Sequence, residues 1–197
     1  MLKLQIKYLS FFFGIVSILS FFNIVYSYYF NLYLNLDTYY FTLGISFILF
    51  ITFFKFGEYN IKSNIFQKIL TIFLGYLLIP LVLSIPFYLS IYNLTFSNSF
   101  FEAISGFTST GFTVFENIKL IDQSLIIWRS STQWIGGLYF LFSIIYLIDI
   151  YDNSFKKTLT NFISFNSSEI LKQAAKIFIL YSSLTILIFI VLNIFSI

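Results

Sequence analysis

The sequence predicts an all-α integral membrane protein: five transmembrane helices and one shorter helix that enters the bilayer part-way and turns back. Three observations predict it. Hydrophobic residues make up 59% of the 197 residues and charged residues 10%, and the mean hydropathy is +0.91, a composition that water-soluble domains do not carry. Five apolar stretches come near the roughly 20 residues needed to cross a hydrocarbon core about 30 Å thick. Between the third and the fourth, the chain turns polar without becoming highly charged.

The first stretch, Tyr8 to Phe30, follows Lys3 and Lys7. It is too long for the apolar region of a signal peptide, and no small-x-small cleavage site follows, so a retained helix is expected. The second runs from Asp37 to Phe54. The third, Ile65 to Ile91, contains Pro80 and Pro86, each of which removes a backbone donor and tends to kink a helix. The fourth, Leu125 to Ile148, opens with Trp128-Arg129-Ser130 and Gln133-Trp134-Ile135-Gly136-Gly137. The fifth runs from Ile177 to Phe195.

Lys and Arg placement orients this map, because cytoplasmic loops collect positive charge. With the N-terminus inside and residues 97–122 dipping in and returning to the outer side, Lys3, Lys7, Lys55, Lys62, Lys68, Lys156, Lys157, Lys172 and Lys176 are cytoplasmic, nine of the eleven basic residues. A complete crossing at 97–122 would move the last four lysines outside. Trp128, Arg129, Tyr26, Tyr28, Tyr39 and Tyr40 then fall at outer interfaces, where amphipathic rings anchor helices.

Composition also excludes functions. With no Cys and no His, thiol chemistry, disulfides, soft-metal ligation and histidine acid–base work are absent. A net charge of +3, spread over scattered lysines, offers no surface for nucleic acid. The eight acids are dispersed, Asp37, Glu102, Glu116 and Asp122 toward the outside and Glu58, Asp149, Asp152 and Glu169 toward the inside. No nucleophile or acid–base constellation emerges, so no enzyme is expected. Asp149 and Asp152 read as solvated loop residues. The 23% aromatic content accompanies a scarcity of Ala and an abundance of Phe, Ile, Tyr and Asn, a coding bias that weakens any argument from aromatic stripes.

The chemistry is concentrated between Ser99 and Gly137. Ser99-Phe100-Phe101-Glu102 matches a capping box, predicting a helix that starts there and ends near Phe107. At roughly ten residues and about 15 Å it reaches only half-way across the membrane. Its negative dipole end then faces the bilayer centre, which favours a cation. Thr108, Ser109, Thr110 and Gly111 follow, residues able to expose main-chain carbonyls, with Gly free to take positive φ. Carbonyl oxygens in such a segment replace the hydration shell of a monovalent cation, as in the Thr-Val-Gly-Tyr-Gly loops of potassium channels. Phe112 supplies an aromatic behind the segment, and Thr113 stands where that signature has its second Gly. Against this stands an ordinary packing role for Thr, Ser and Gly in membrane helices. Support is expected from Glu102 at the outer mouth, from Gln133 toward the loop backbone, and from Gly136 and Gly137 as close-packing positions.

Phe101-Glu102-Ala103-Ile104-Ser105-Gly106-Phe107-Thr108-Ser109-Thr110-Gly111-Phe112-Thr113, with Trp128-Arg129-Ser130 and Gln133 to Gly137, resembles the first pore unit of the Trk/Ktr/HKT potassium transporters, most closely the bacterial TrkH branch. The resemblance covers nearly the whole chain. It divides the chain into two N-terminal transmembrane helices (1–64), a helix-pore-helix unit with a filter at 108–113 (65–152), and a cytoplasmic loop with the first helix of an incomplete second unit (153–197). It implies potassium translocation across a bacterial inner membrane, with the ion as cargo, no organic cofactor, and filter carbonyl contacts at Ser109 and Thr110 with Thr108 and Gly111 adjoining. The family carries four pore units per chain and this sequence one and a fraction. A partner chain supplying the remaining units, or self-assembly into a ring, is therefore implied, together with membrane lipids and a cytoplasmic nucleotide-binding regulatory ring. The competing expectation is a non-transporting relic or assembly subunit that keeps the packing and forms no pore.

Overall fold

A computed structural model describes residues 7–57, 65–117, 121–148 and 170–195. Among these, every regular element is an α-helix: α1 (Lys7–Tyr29), α2 (Leu36–Phe56), α3 (Ile65–Leu83), α4 (Ile85–Ser90), α5 (Phe96–Phe107), α6 (Gln123–Ile148) and α7 (Ile170–Phe195). Four helical stretches are long and apolar enough to cross a membrane: Lys7–Tyr29, Leu36–Phe56, Phe66–Ser90 and Ala174–Phe195. Helix α6 has 26 residues, about 39 Å. Each of the five expected stretches is thus helical, and the chain is a multi-pass bundle. Expectations placed on Lys3, Glu58, Lys62, Lys119, Asp149, Asp152, Lys156, Lys157 and Glu169 lie outside the described residues.

The chain divides into two compact units, Met1–Phe140 and Leu141–Ile197. In the first, α1 and α2 form an antiparallel hairpin around a turn in which Asn31 takes φ 57°, a left-handed conformation that Asn tolerates. Small and aromatic residues set their contact. Ser17 and Ser46 hydroxyls meet at 2.8 Å, Phe13 stacks on Phe53 with centroids 5.4 Å apart, and Gly14 lies against the Phe50 ring.

The core of this unit gathers around Tyr139 of α6, which is fully buried. Its hydroxyl donates to the Ile72 carbonyl at 2.9 Å and lies 3.3 Å from the Tyr8 hydroxyl. Phe12, Tyr76 and Phe107 surround the ring at centroid distances of 4.8, 4.9 and 5.4 Å. Gly75 makes this possible, since a Cβ there would overlap the Tyr139 hydroxyl. One ring therefore joins α1, α3, α5 and α6.

The third expected stretch is interrupted at Ser84 rather than continuous. Pro80 is accommodated inside α3, whereas Pro86 sits in the first turn of α4, where its missing donor costs least. The interruption leaves the Leu83 carbonyl to accept the Trp128 indole N–H at 2.9 Å. Trp128 is consequently fully buried, tilted against Tyr39. This corrects the expectation of interfacial anchors at Trp128 and Tyr39: a polar tip that finds a partner inside the bundle carries its ring in with it. Tyr28 and Tyr40 are exposed, their hydroxyls 3.2 Å apart.

The second unit contains the end of α6, where Phe142 stacks on Tyr146, and α7. Leu180, Ile186, Leu187, Phe189 and Leu192 of α7 are all more than half exposed. Ser183 and Thr185 return their hydroxyls to the Leu180 and Tyr181 carbonyls, so the helix hides its own polar groups.

Candidate functional site

The cap of helix α5 lies four residues before the expected one. Thr95 is the N-cap, with extended backbone and a side chain accepting the Asn98 N–H at 3.3 Å. Ser99 lies inside the helix, its hydroxyl donating to the Thr95 carbonyl, and Glu102 does not reach back. The capping box is therefore not formed. Glu102, fully buried, instead accepts the Arg129 Nε–H at 2.5 Å, and a charged partner outbids a backbone amide that Thr95 already serves. The same contact holds the Arg129 side chain at 14% exposure.

The end of α5 at Phe107 agrees with the sequence, and tight packing marks it. A Cβ at Gly136 would overlap the Phe107 carbonyl, and one at Gly106 would overlap the Thr132 hydroxyl. Gly136 thus lets α6 touch the last turn of α5, as close-packing glycines do. Gln133 lies near Gly106 through its aliphatic stem and makes no hydrogen bond to the loop among the described residues. Gly137 is half-buried on the same helix.

Beyond Phe107 the backbone folds back on the helix. The Thr108 N–H donates to the Ile104 carbonyl, Ser109 to Gly106, and Thr110 to Ser105, at 2.8, 3.0 and 3.1 Å. Ser109 takes φ 57° and Gly111 φ 80°, the left-handed residues that such a helix end requires. Of the final carbonyls of α5, expected to face a cation directly, those of Ile104, Ser105 and Gly106 are thereby occupied. The carbonyls of Thr108, Ser109, Thr110 and Gly111 accept no hydrogen bond among the described residues, and the segment is exposed. A short run of main-chain oxygens is left on offer.

Side chains fix this run from behind. The Ser105 hydroxyl donates to the Phe112 carbonyl at 2.6 Å and lies 3.2 Å from the Thr110 hydroxyl. Thr108 donates to the Ile104 carbonyl. Glu102 accepts the Thr113 hydroxyl at 3.0 Å and the Val114 N–H at 3.0 Å. One carboxylate thus ties α5, the returning strand and, through Arg129, α6. Phe112 does not pack behind the segment as expected; its ring is 69% exposed, because Ser105 holds the strand by its carbonyl and turns the ring away.

Three contributors went unnoticed in the sequence: Ser105, Thr132 and Arg129 as the partner of Glu102. A lone Arg in an apolar run is the signal that pointed to the last, since such charges seek an internal partner. A separate polar cluster secures the start of α6. The Asp122 carboxylate accepts from Asn35 Nδ2 and from the Ser124 hydroxyl, both at 2.7 Å, and Tyr39 donates to Ser124 at 2.9 Å. Among the described residues no three His, Cys, Asp or Glu side chains converge on a common point.

The model of the TrkH family, described as a cation transport protein, matches residues 54–197. TrkG, a Trk system potassium uptake protein of Escherichia coli, is 31% identical over 106 residues, 49% of this chain and 22% of TrkG. An uncharacterized cation transporter of Methanocaldococcus jannaschii is 37% identical over 65 residues, 33% of this chain and 14% of that protein. TrkI of Halomonas elongata, likewise a Trk system potassium uptake protein, is 37% identical over 60 residues, 30% of this chain and 11% of TrkI. The alignments thus span less than a quarter of each of these relatives. No solved structure matches the chain. With the family model covering well over half of its residues, the chain belongs to the TrkH family of cation transport proteins.

Proposed function

We propose that this chain contributes one helix-pore-helix unit to a potassium uptake system of a bacterial inner membrane. In this reading α5 is a re-entrant pore helix, 12 residues and about 18 Å long, and residues 108–113 are one strand of a selectivity filter. The carrying observation is the row of unoccupied carbonyls from Thr108 to Gly111 on a backbone with two left-handed residues. Ser109 and Thr110 are the proposed ion contacts, with Thr108 and Gly111 adjoining. Irregular backbone of this kind survives at membrane depth only where it is buried in protein or lines water, and a stripped alkali ion needs such oxygens. Helix α6 serves as the fourth of five spans. The N-terminus is cytoplasmic, as the lysine distribution favours.

One strand does not encircle an ion, so transport requires a partner chain with the remaining units or a ring of copies, with regulation by a cytoplasmic nucleotide-binding ring where the system has one. The test is rubidium uptake in a potassium-uptake-deficient strain expressing this chain with its partner. Gly111→Asp is expected to abolish uptake while membrane insertion persists, because a carboxylate placed in the filter binds and obstructs the ion. Unaltered flux in that variant counts against a filter role. Absence of rescue by the unmodified chain, with the partner present, favours a non-transporting assembly subunit.

A further inference from the structure

The end of the α1–α2 hairpin that carries the Asn31 turn meets the start of α6 through polar side chains. Asn23 donates its amide N–H to the Ser124 carbonyl at 3.3 Å, Tyr39 donates to the Ser124 hydroxyl, and Asn35 reaches the Asp122 carboxylate. Asn23, Asn35, Tyr39 and Ser124 are all buried, as is Ser27 in the last turn of α1. Two oxygens at this end of α1 have no hydrogen-bond partner: Asn23 Oδ1 and Ser27 Oγ. The bond to Ser124 fixes which end of the Asn23 amide is which, because a carbonyl accepts only from the NH2 group. Ser27 differs from its neighbours on the helix. Ser17 and Ser20 return their hydroxyls to carbonyls one turn back, whereas the Ser27 hydroxyl makes no such bond. Asn23 and Ser27 lie four positions apart, hence on one face of α1 with Cβ atoms about 6 Å apart.

We propose that Asn23 and Ser27 bind one internal water molecule, which accepts from the Ser27 hydroxyl and donates to Asn23 Oδ1. The chemistry of the two oxygens selects this guest. A carboxamide oxygen only accepts, so an anion is refused. An alkali ion exchanges its hydration shell for several oxygens, whereas two neutral ones are on offer here and the Asp122 carboxylate already serves Asn35 and Ser124. At 2% and 0% exposure, neither residue is open to a lipid headgroup or a partner chain. Two hydrogen bonds of about 2.8 Å suit the separation of the pair, and buried waters are held by such otherwise unsatisfied groups. The water extends the polar joint from Ser124 through Asn23 to the last turn of α1 and so stiffens the hairpin against α6. The site shares no residue with the 108–113 segment and stands whether or not that segment conducts.

The test compares thermal unfolding midpoints of the full chain purified in detergent and carrying Ser27→Ala or Ser20→Ala. Both substitutions make the same exchange at a buried position of one helix, but only Ser27 holds the water. Ser27→Ala is expected to unfold about 2–4 °C below Ser20→Ala, the loss of one hydrogen bond in a chain of this size. A midpoint equal to or above that of Ser20→Ala overturns the proposal, since deleting a hydroxyl from a dry site relieves an unpaired group. Density in a high-resolution structure gives a second reading: a peak within about 3.2 Å of both oxygens is expected, and a site without one overturns the proposal. Exchange of sodium and potassium for N-methylglucamine should leave the midpoint unchanged. A fall would assign a cation to the site in place of water and overturn the proposal.

Discussion

Glu102 illustrates how one side chain takes its role from competing partners. It accepts hydrogen bonds from Thr113 and Val114 and pairs with Arg129, all from complete burial. Arg129→Met leaves that carboxylate charged and unpaired, a class of change that destabilises by about 3–5 kcal/mol. A clear fall in the thermal unfolding midpoint of the detergent-purified chain is expected. Adding Glu102→Gln to Arg129→Met removes the orphaned charge and should recover part of the loss. A double variant no more stable than Arg129→Met would show that the pair is not coupled. At the same scale Ser105→Ala frees the Phe112 carbonyl, and since one hydrogen bond is worth about 1 kcal/mol, a modest loss is expected.

At the scale of elements, the join between α5 and α6 rests on the absence of a side chain. Gly136 faces the Phe107 carbonyl with no room for a methyl group, whereas nothing lies within 4 Å of a Cβ built at Gly44 of α2. Gly136→Ala should therefore lower the unfolding midpoint, while Gly44→Ala should leave it unchanged or raise it, because Ala is favoured over Gly in a helix by about 1 kcal/mol. Equal effects would mean that the α5–α6 contact is looser than described. Helix limits were largely legible beforehand, because apolar run length and turn residues are local properties of sequence. The interruption at Ser84 was signalled by Pro86 but not located. The α5 start was misplaced because Ser99 and Glu102 satisfy a local signature that Thr95 and Arg129 override.

For the whole molecule, the lysine distribution favours one orientation, which stands as a proposal, and the lack of cysteine makes labelling clean. Single substitutions Asn31→Cys and Asn93→Cys should react with an impermeant thiol reagent from outside the cell, and Ser154→Cys only after the inner face is exposed. External labelling of Ser154→Cys would mean that residues 97–122 cross the membrane completely, and the re-entrant proposal would fall.

Membrane character, the five helical stretches, the end of the short helix at Phe107 and the polar segment after it were determined by sequence alone, since each follows from hydropathy, length and turn chemistry within a few residues. Tertiary structure decided which groups meet: Arg129 with Glu102, 27 positions apart, Trp128 with the carbonyl of Leu83, and Tyr139 at the centre of four helices. Such pairings are a competition among several chemically adequate partners. Only the folding of distant segments into one packed volume settles which of them is close enough to win.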